Sequence, residues 1–196
     1  MDPETLDFYS LKAADYAEFV GDAAHSPELA KFIDGLDSDA ATIDFGCGHG
    51  WAAAALRDAG FRITAIDGSA GLAAEARDRY GVDVRVMSFD AFNERSAYDG
   101  LWVSFSLLHD TREAMPQHLA RLRRAARPNA LLYLGLKEGE GEARDSHGRL
   151  YTYFAEPEIR LALSNNGWGQ IDLERTVLMG MAGAEEPCLH VFARAQ

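Results

Sequence analysis

The stretch Thr42-Ile43-Asp44-Phe45-Gly46-Cys47-Gly48-His49-Gly50 constrains this chain more than any other. Ala41 to Phe45 is a short apolar run that reads as a buried strand, and Trp51 to Ala59 reads as a helix ended by Gly60. Three glycines at alternate positions join them. Glycine lets a backbone turn sharply and approach a ligand closely. The helix that follows offers free N–H groups to a carboxylate or phosphate. Strand, glycine turn and helix in that order belong to an open sheet whose ligands sit at the carboxyl ends of its strands.

The rest of the chain continues the alternation. Phe61 to Ile66 reads as a strand, and Ser69 caps a helix to Tyr80 that Gly81 ends. Val82 to Met87 and Leu101 to Phe105 read as strands, Thr111 to Arg127 as a helix stopped by Pro128, and Ala130 to Leu136 as a further strand. Upstream, Leu6 to Val20 and Ser26 to about Leu36 read as helices. Downstream, Pro157 to Asn166 reads as a helix, and Gln170 to Met179 with Cys188 to Ala193 as two strands joined by a short Gly/Pro loop. The pattern predicts an α/β fold: a Rossmann-like, doubly wound sheet, mostly parallel, with helices on both faces and a C-terminal antiparallel hairpin. A length of 196 residues fits one domain, 1–196, with a helical cap over about 5–36. The polar, glycine-bearing stretch over about 137–155 is long for a connection and is expected to act as a lid.

Composition narrows the function classes. A net charge of −12 argues against nucleic acid or an anionic membrane surface as a partner, because phosphate binding needs a basic footprint. The two cysteines, Cys47 and Cys188, form no disulfide framework and no metal-ligand spacing. The acidic start, Met1-Asp2-Pro3-Glu4-Thr5, is no signal peptide, and no apolar run approaches a membrane span. The cytoplasm is the expected compartment.

Two carboxylates accompany the glycine loop. Asp67 ends the next strand, roughly 20 residues after Gly46, an offset that suits hydrogen bonds to ribose hydroxyls. Asp44 either braces the loop or meets a cationic ligand group directly. A dinucleotide site shares these features, but its G-x-G-x-x-G pattern needs a glycine where Trp51 stands. An NAD-dependent oxidoreductase is disfavoured on that ground.

Asp44-x-Gly46-x-Gly48-x-Gly50 resembles the first motif of class I S-adenosylmethionine (SAM)-dependent methyltransferases, and the resemblance extends over nearly the whole chain. Asp67 matches that family's ribose-binding acid, with Gly68 beside it. Phe89-Asp90-Ala91 resembles the segment that meets the adenine. Tyr98 to Val103, followed by Ser104 to His109, resembles the fourth strand and its tail. Arg127-Pro128-Asn129-Ala130 resembles the turn into the fifth strand, with Asn129-Ala130 where the family has two glycines. Phe8-Tyr9 and Ala14-Asp15-Tyr16 resemble the helix that covers the cofactor in small-molecule members. The resemblance implies cofactor contacts from Tyr9, Tyr16, Asp44, Gly46, Cys47, Gly48, Asp67, Gly68, Asp90, Ala91 and Ser104.

Catalytic residues are less determined. Cys47 lies among glycines with no base apparent, so it reads as a small loop residue rather than a nucleophile. Arg121, Arg123, Arg124 and Arg127 read as the solvated face of a helix whose apolar stripe is Met115, Leu119, Leu122 and Ala126. His109, at the carboxyl edge of the fourth strand, is a candidate base, substrate contact or packed residue. Tyr151 and Tyr153, at the end of the lid with Arg149 and Phe154, are candidates for a substrate wall. No Asn/Asp-Pro-Pro-aromatic motif is present, which disfavours amide or nucleobase nitrogen as acceptor. The reading is methyl transfer to a small-molecule sulfur, selenium, tellurium, oxygen or nitrogen nucleophile. A SAM-binding module without catalysis is the alternative.

Overall fold

A computed structural model describes residues 1–21 and 26–196; residues 22–25 of the expected cap lie outside the described residues. β1 (Ala41–Phe45) is buried along its whole length, inside the sheet. It pairs in parallel with β2 (Arg62–Asp67) on one side and β4 (Tyr98–Ser104) on the other. β3 (Val84–Val86) extends the sheet beyond β2, and β5 (Ala126–Lys137) beyond β4, both in parallel. β8 (Trp168–Met179) and β9 (Glu185–Ala195) form the expected hairpin, with β9 antiparallel to β5. The seven-stranded order is β3-β2-β1-β4-β5-β9-β8. Apart from its terminal hairpin the sheet is parallel, as the strand–helix alternation requires.

Side chains alternate across the sheet with period two. Ile43, Phe45, Leu101, Val103, Leu132 and Leu134 face α6 (Met115–Ala125) and α7 (Glu156–Asn165). Trp102, Tyr133 and Phe192 face α3 (Pro27–Asp34) and α4 (Trp51–Asp58). By the same parity Asp44, Ser104, Lys137 and His190 belong to the α3/α4 face. α5 (Ala70–Tyr80) starts at Ser69, whose hydroxyl accepts the Leu72 N–H, and ends at Gly81 in the left-handed conformation. No helix among the described residues is long and apolar enough to cross a membrane.

Three expectations need correction. The single helix over 6–20 is two: α1 (Pro3–Leu11) and α2 (Ala13–Val20), broken at Lys12. The end of α1 presses on α5 at Gly71, where a Cβ would lie 2.5 Å from the Ser10 carbonyl oxygen, and the chain turns there so that α2 also lies on α5. Second, α6 stops at Ala125 rather than at Pro128. Ala126 already pairs with Tyr98, so Arg127 and Pro128 belong to β5, not to a helical face. Proline is tolerated because the ladder shifts register at that point, with Asn129 at φ 63°. Third, the 137–155 stretch is an ordered two-stranded hairpin, β6 (Glu142–Arg144) with β7 (Leu150–Thr152). Its sparse apolar content is offset by ion pairs: Arg144 with Asp2 at 2.8 Å, and buried Arg149 with Asp145 at 2.6 Å.

Candidate functional site

Gly46, Gly48 and Gly50 all take positive φ, at 79°, 56° and 86°, so each occupies a conformation that other residues adopt at a cost. The turn they make is held from β2. The Gly46 and Cys47 N–H groups both donate to the Ile66 carbonyl at 2.9 Å. Asp67 accepts the Gly48 N–H on Oδ2 and the Ser69 N–H on Oδ1, each at 2.8 Å. Asp67 thus braces the loop and holds the Ser69 cap residue through two of its lone pairs, leaving others for a ligand.

Asp44 is 2% exposed, and its Oδ2 has no hydrogen-bond partner. Burial, with the Asp67 charge nearby, pushes its carboxyl up to about 8. A buried carboxylate with an unpartnered oxygen is costly unless a cationic group meets it. Cys47 is not a nucleophile: burial raises its thiol far above the ordinary range, and Sγ points at the Gly48 carbonyl at 3.7 Å.

The roof comes from α1 and the β6–β7 hairpin. His109 Nδ1 lies 2.7 Å from the Leu150 carbonyl oxygen, which can only accept, so Nδ1 carries the proton and Nε2 is an acceptor. Tyr9 donates to that Nε2 at 2.9 Å and accepts from Arg149 at 3.1 Å. Burial holds the His109 imidazole down at about 3, with the Arg149 and Lys137 charges acting in the same direction. Both ring nitrogens are therefore committed, and His109 positions the roof as a neutral ring. Tyr16 stands edge-on to Tyr9 at 5.0 Å.

Beneath the roof runs a cavity of about 990 Å³, open at the carboxyl edge of the sheet on the α3/α4 face. Its volume is at the upper end of the range for small-molecule sites. Of the sequence-predicted residues it brings together Tyr9, Tyr16, Asp44, Gly46, Cys47, Gly48, Ser104, His109 and Tyr151. Asp67 lines an adjoining cleft of about 40 Å³ with Tyr9, Tyr16 and Ser104. Gly68, Asp90, Ala91 and Tyr153 line neither cavity. Gly68 lies under Leu6, Asp90 is exposed and pairs with Arg121 at 3.2 Å, Ala91 is exposed in a short 3-10 turn, and Tyr153 packs beside Gly139.

The cavity also holds residues that motif reading missed. Lys137 Nζ pairs with Glu186 at 2.6 Å and sits 3.2 Å from the centre of the Tyr151 ring. His190 and Glu28 line the far wall, beside Tyr133, whose ring stacks on Trp102 at 3.8 Å. The available signal was strand parity, which puts Lys137 and His190 on the same face as Asp44.

Residues 42–129 match a family model described as a methyltransferase domain. A search of curated proteins found no match. Among solved structures, the chain resembles the Burkholderia thailandensis 1,6-didemethyltoxoflavin-N1-methyltransferase bound to its substrate and S-adenosylhomocysteine. Identity is 25%, coverage 97% of this chain and 86% of that one, and TM-score 0.79. It also resembles a chain of the complex between the Haloferax volcanii Trm112 methyltransferase activator and a methyltransferase, at 18% identity, 97% coverage of both chains and TM-score 0.77. The Haemonchus contortus phosphoethanolamine N-methyltransferase 2, solved with SAM, shares 13% identity over 100% of this chain and 60% of its own, with TM-score 0.76. Residues 42–129 carry the methyltransferase-domain match, and the sheet order and glycine turn give the chain the class I methyltransferase fold. Two of these solved structures hold the methyl donor SAM or its demethylated product. The residues present fit that donor: a cavity wall without side chains at Gly46 and Gly48, and in Asp44 a buried, unpartnered carboxylate of the sign an ammonium group requires.

Proposed function

We propose that this single-domain chain methylates a small-molecule acceptor, bound in the same cavity as the SAM methionine group. The observation that carries the reading is the roof. Tyr9 is bonded to both His109 and Arg149 where the three line the cavity, and a macromolecular side chain entering there would have to displace them. The net charge of −12 also speaks against a nucleic-acid substrate.

In this reading Asp44 takes the ammonium group, Asp67 the ribose hydroxyls, and the Gly46–Gly48 backbone the space beside the sulfonium. Asp90 and Ala91 lie next along the sheet edge toward the adenine, and Asp90 would exchange its Arg121 partner for that contact. Bound SAM supplies an electrophilic methyl group on a positive sulfur. The protein's part is to hold the acceptor in line and exclude water, and proximity can provide most of the acceleration. Tyr9, Tyr16 and the β6–β7 hairpin do the excluding.

The test is incubation with methyl-labelled SAM and a panel of small thiols, amines, phenols and ring N–H compounds, beside a cell extract separated into small and large fractions. Label in the small-molecule fraction is expected. Label confined to protein or RNA would overturn the reading, and SAM binding with no transfer to either fraction would favour a binding module.

A further inference from the structure

The far wall of the cavity carries a line of polar groups that the cofactor contacts leave unused. Ser104, at the end of β4, stands near the Tyr133 phenol on β5. Tyr133 Oη lies 2.9 Å from His190 Nδ1 on β9, and His190 Nε2 lies 2.7 Å from Thr176 Oγ1 on β8. Those four strands are neighbours in that order, and the hydrogen bonds run from Tyr133 through His190 to Thr176. Glu28, in the first turn of α3, places Oε1 3.7 Å from the same Nδ1. All five residues line the cavity.

His109 and His190, both buried at the cavity, differ in their surroundings. His109 faces the cations Arg149 and Lys137, which oppose a second proton. His190 faces Glu28 and Glu174, which favour one, against the cost of its burial. Tyr133 and Cys188, on the strands around it, are both raised by burial and stay neutral near pH 7. Lys137 and Arg149 are already ion-paired, with Glu186 and Asp145. At His190 the carboxylates of Glu28 and Glu174 are placed to balance a proton.

The same wall is built for a flat ring. Phe105 follows β4 with φ 52°, a conformation that costs a bulky residue strain and persists where surrounding structure enforces it. Gly135 makes the room: a Cβ there would lie 3.1 Å from two Phe105 ring carbons. Phe105 meets His190 edge-on at 5.8 Å and lines the cavity with Tyr151 and Leu108.

We propose that His190 is the proton acceptor of the transfer, serving a planar aromatic acceptor whose nucleophile is a ring N–H or an O–H. This rests on the small-molecule reading above. The acceptor's lone pair forms the bond to the methyl carbon, and the carbon–sulfur bond breaks with its electron pair left on sulfur. The proton lost by the acceptor passes to Thr176 Oγ1 as the Thr176 hydroxyl proton passes to His190 Nε2. Glu28 balances the imidazolium until the proton leaves to solvent.

The test uses the full chain with labelled SAM, with 2-naphthol and benzimidazole as O–H and N–H probes and 2-naphthalenethiol as a probe needing no base above its own pKa. Transfer to an O–H or N–H probe is expected. His190→Gln should then lower kcat for that probe by about 100-fold, the lower end of general-base effects. KM, SAM affinity by calorimetry and thiol turnover should hold within a few-fold. Independently of turnover, NMR should show the His190 imidazole titrating in the ligand-free protein. Glu28→Gln should move that titration, and the acidic limb of kcat/KM, to lower pH, because the charge favouring the imidazolium is gone. Thr176→Val carries the same test if His190→Gln fails to fold. Undiminished transfer to 2-naphthol or benzimidazole in His190→Gln or Thr176→Val, or a His190 titration indifferent to Glu28, overturns the proposal. Label on thiols or aliphatic amines alone also overturns it while leaving the small-molecule reading intact, whereas label on macromolecules alone overturns both.

Discussion

Tyr9 and His109 are 100 residues apart in sequence and joined by a 2.9 Å hydrogen bond in which the phenol donates. The bond ties the N-terminal helix to the segment after β4, beside the glycine turn. Because Arg149 donates to the same phenol oxygen, one hydroxyl links the three parts of the roof.

Tyr9→Phe therefore leaves the His109 Nε2 acceptor and an Arg149 N–H short of a partner in a buried place. The expected cost is about 1–3 kcal/mol of stability, read by urea denaturation. An unchanged midpoint would mean that the roof is held by the Asp2–Arg144 and Thr5–Leu150 contacts alone.

Asp44, held at about 8, is largely protonated at pH 7 in the free protein. Pairing with the SAM ammonium group favours its ionised form, so binding should release close to one proton. Calorimetry at pH 7 in buffers of different ionisation enthalpy measures this directly. Asp44→Asn should bind more weakly and release no proton from this site. Equal proton release by the variant and the parent would remove Asp44 from the ammonium contact.

The loop glycines should not respond alike. At Gly46 a Cβ would lie 2.3 Å from Ser106 Cβ, so Gly46→Ala should cost about 2–5 kcal/mol and threaten the fold. At Gly48 the nearest atom is Tyr16 Cε1 at 3.6 Å, so Gly48→Ala meets only the penalty of its positive φ, about 1–2 kcal/mol. Its loss should appear mainly as weakened SAM binding. Thermal melts with and without SAM separate the two, and a Gly48→Ala protein fully stabilised by SAM would put the ligand elsewhere.

His109 sets part of the acid stability. Its native pKa of about 3 lies below the unfolded value of 6.5, so the unfolded chain binds more protons between those limits. Stability from this group is complete above pH 6.5 and is lost as pH falls toward 3. Denaturation midpoints of wild type and His109→Gln should converge as pH drops from 7 to 4. Parallel curves would show that the ring protonates in the native state without cost.

The parts of the fold written in local chemistry were legible. β1 has the predicted ends, and α5 runs between the predicted Ser69 cap and Gly81 stop, because each signal acts on its immediate neighbours. The glycine turn with Asp44 and Asp67 was legible for the same reason. The break at Lys12 was not, since it comes from the close approach of Ser10 to Gly71. Pro128 misled because its tolerance depends on a register shift against β4. The 137–155 stretch reads as mobile when its few apolar residues are counted, but Arg144 and Leu150 are anchored to Asp2 and Thr5. His190 carried no motif, and its role depends on Tyr133 and Thr176 on neighbouring strands.

Those anchors set an order of assembly. Thr5 waits for Leu150, Asp2 for Arg144 and Tyr9 for Arg149, separations of 145, 142 and 140 residues. Contacts so distant carry a large loop-closure cost until the intervening chain is organised. During synthesis α1 emerges long before its partners exist, and it can settle only after the hairpin has been made. The cover over the cavity is therefore a late event in folding, and the sheet and its glycine turn can be complete while the site still stands open.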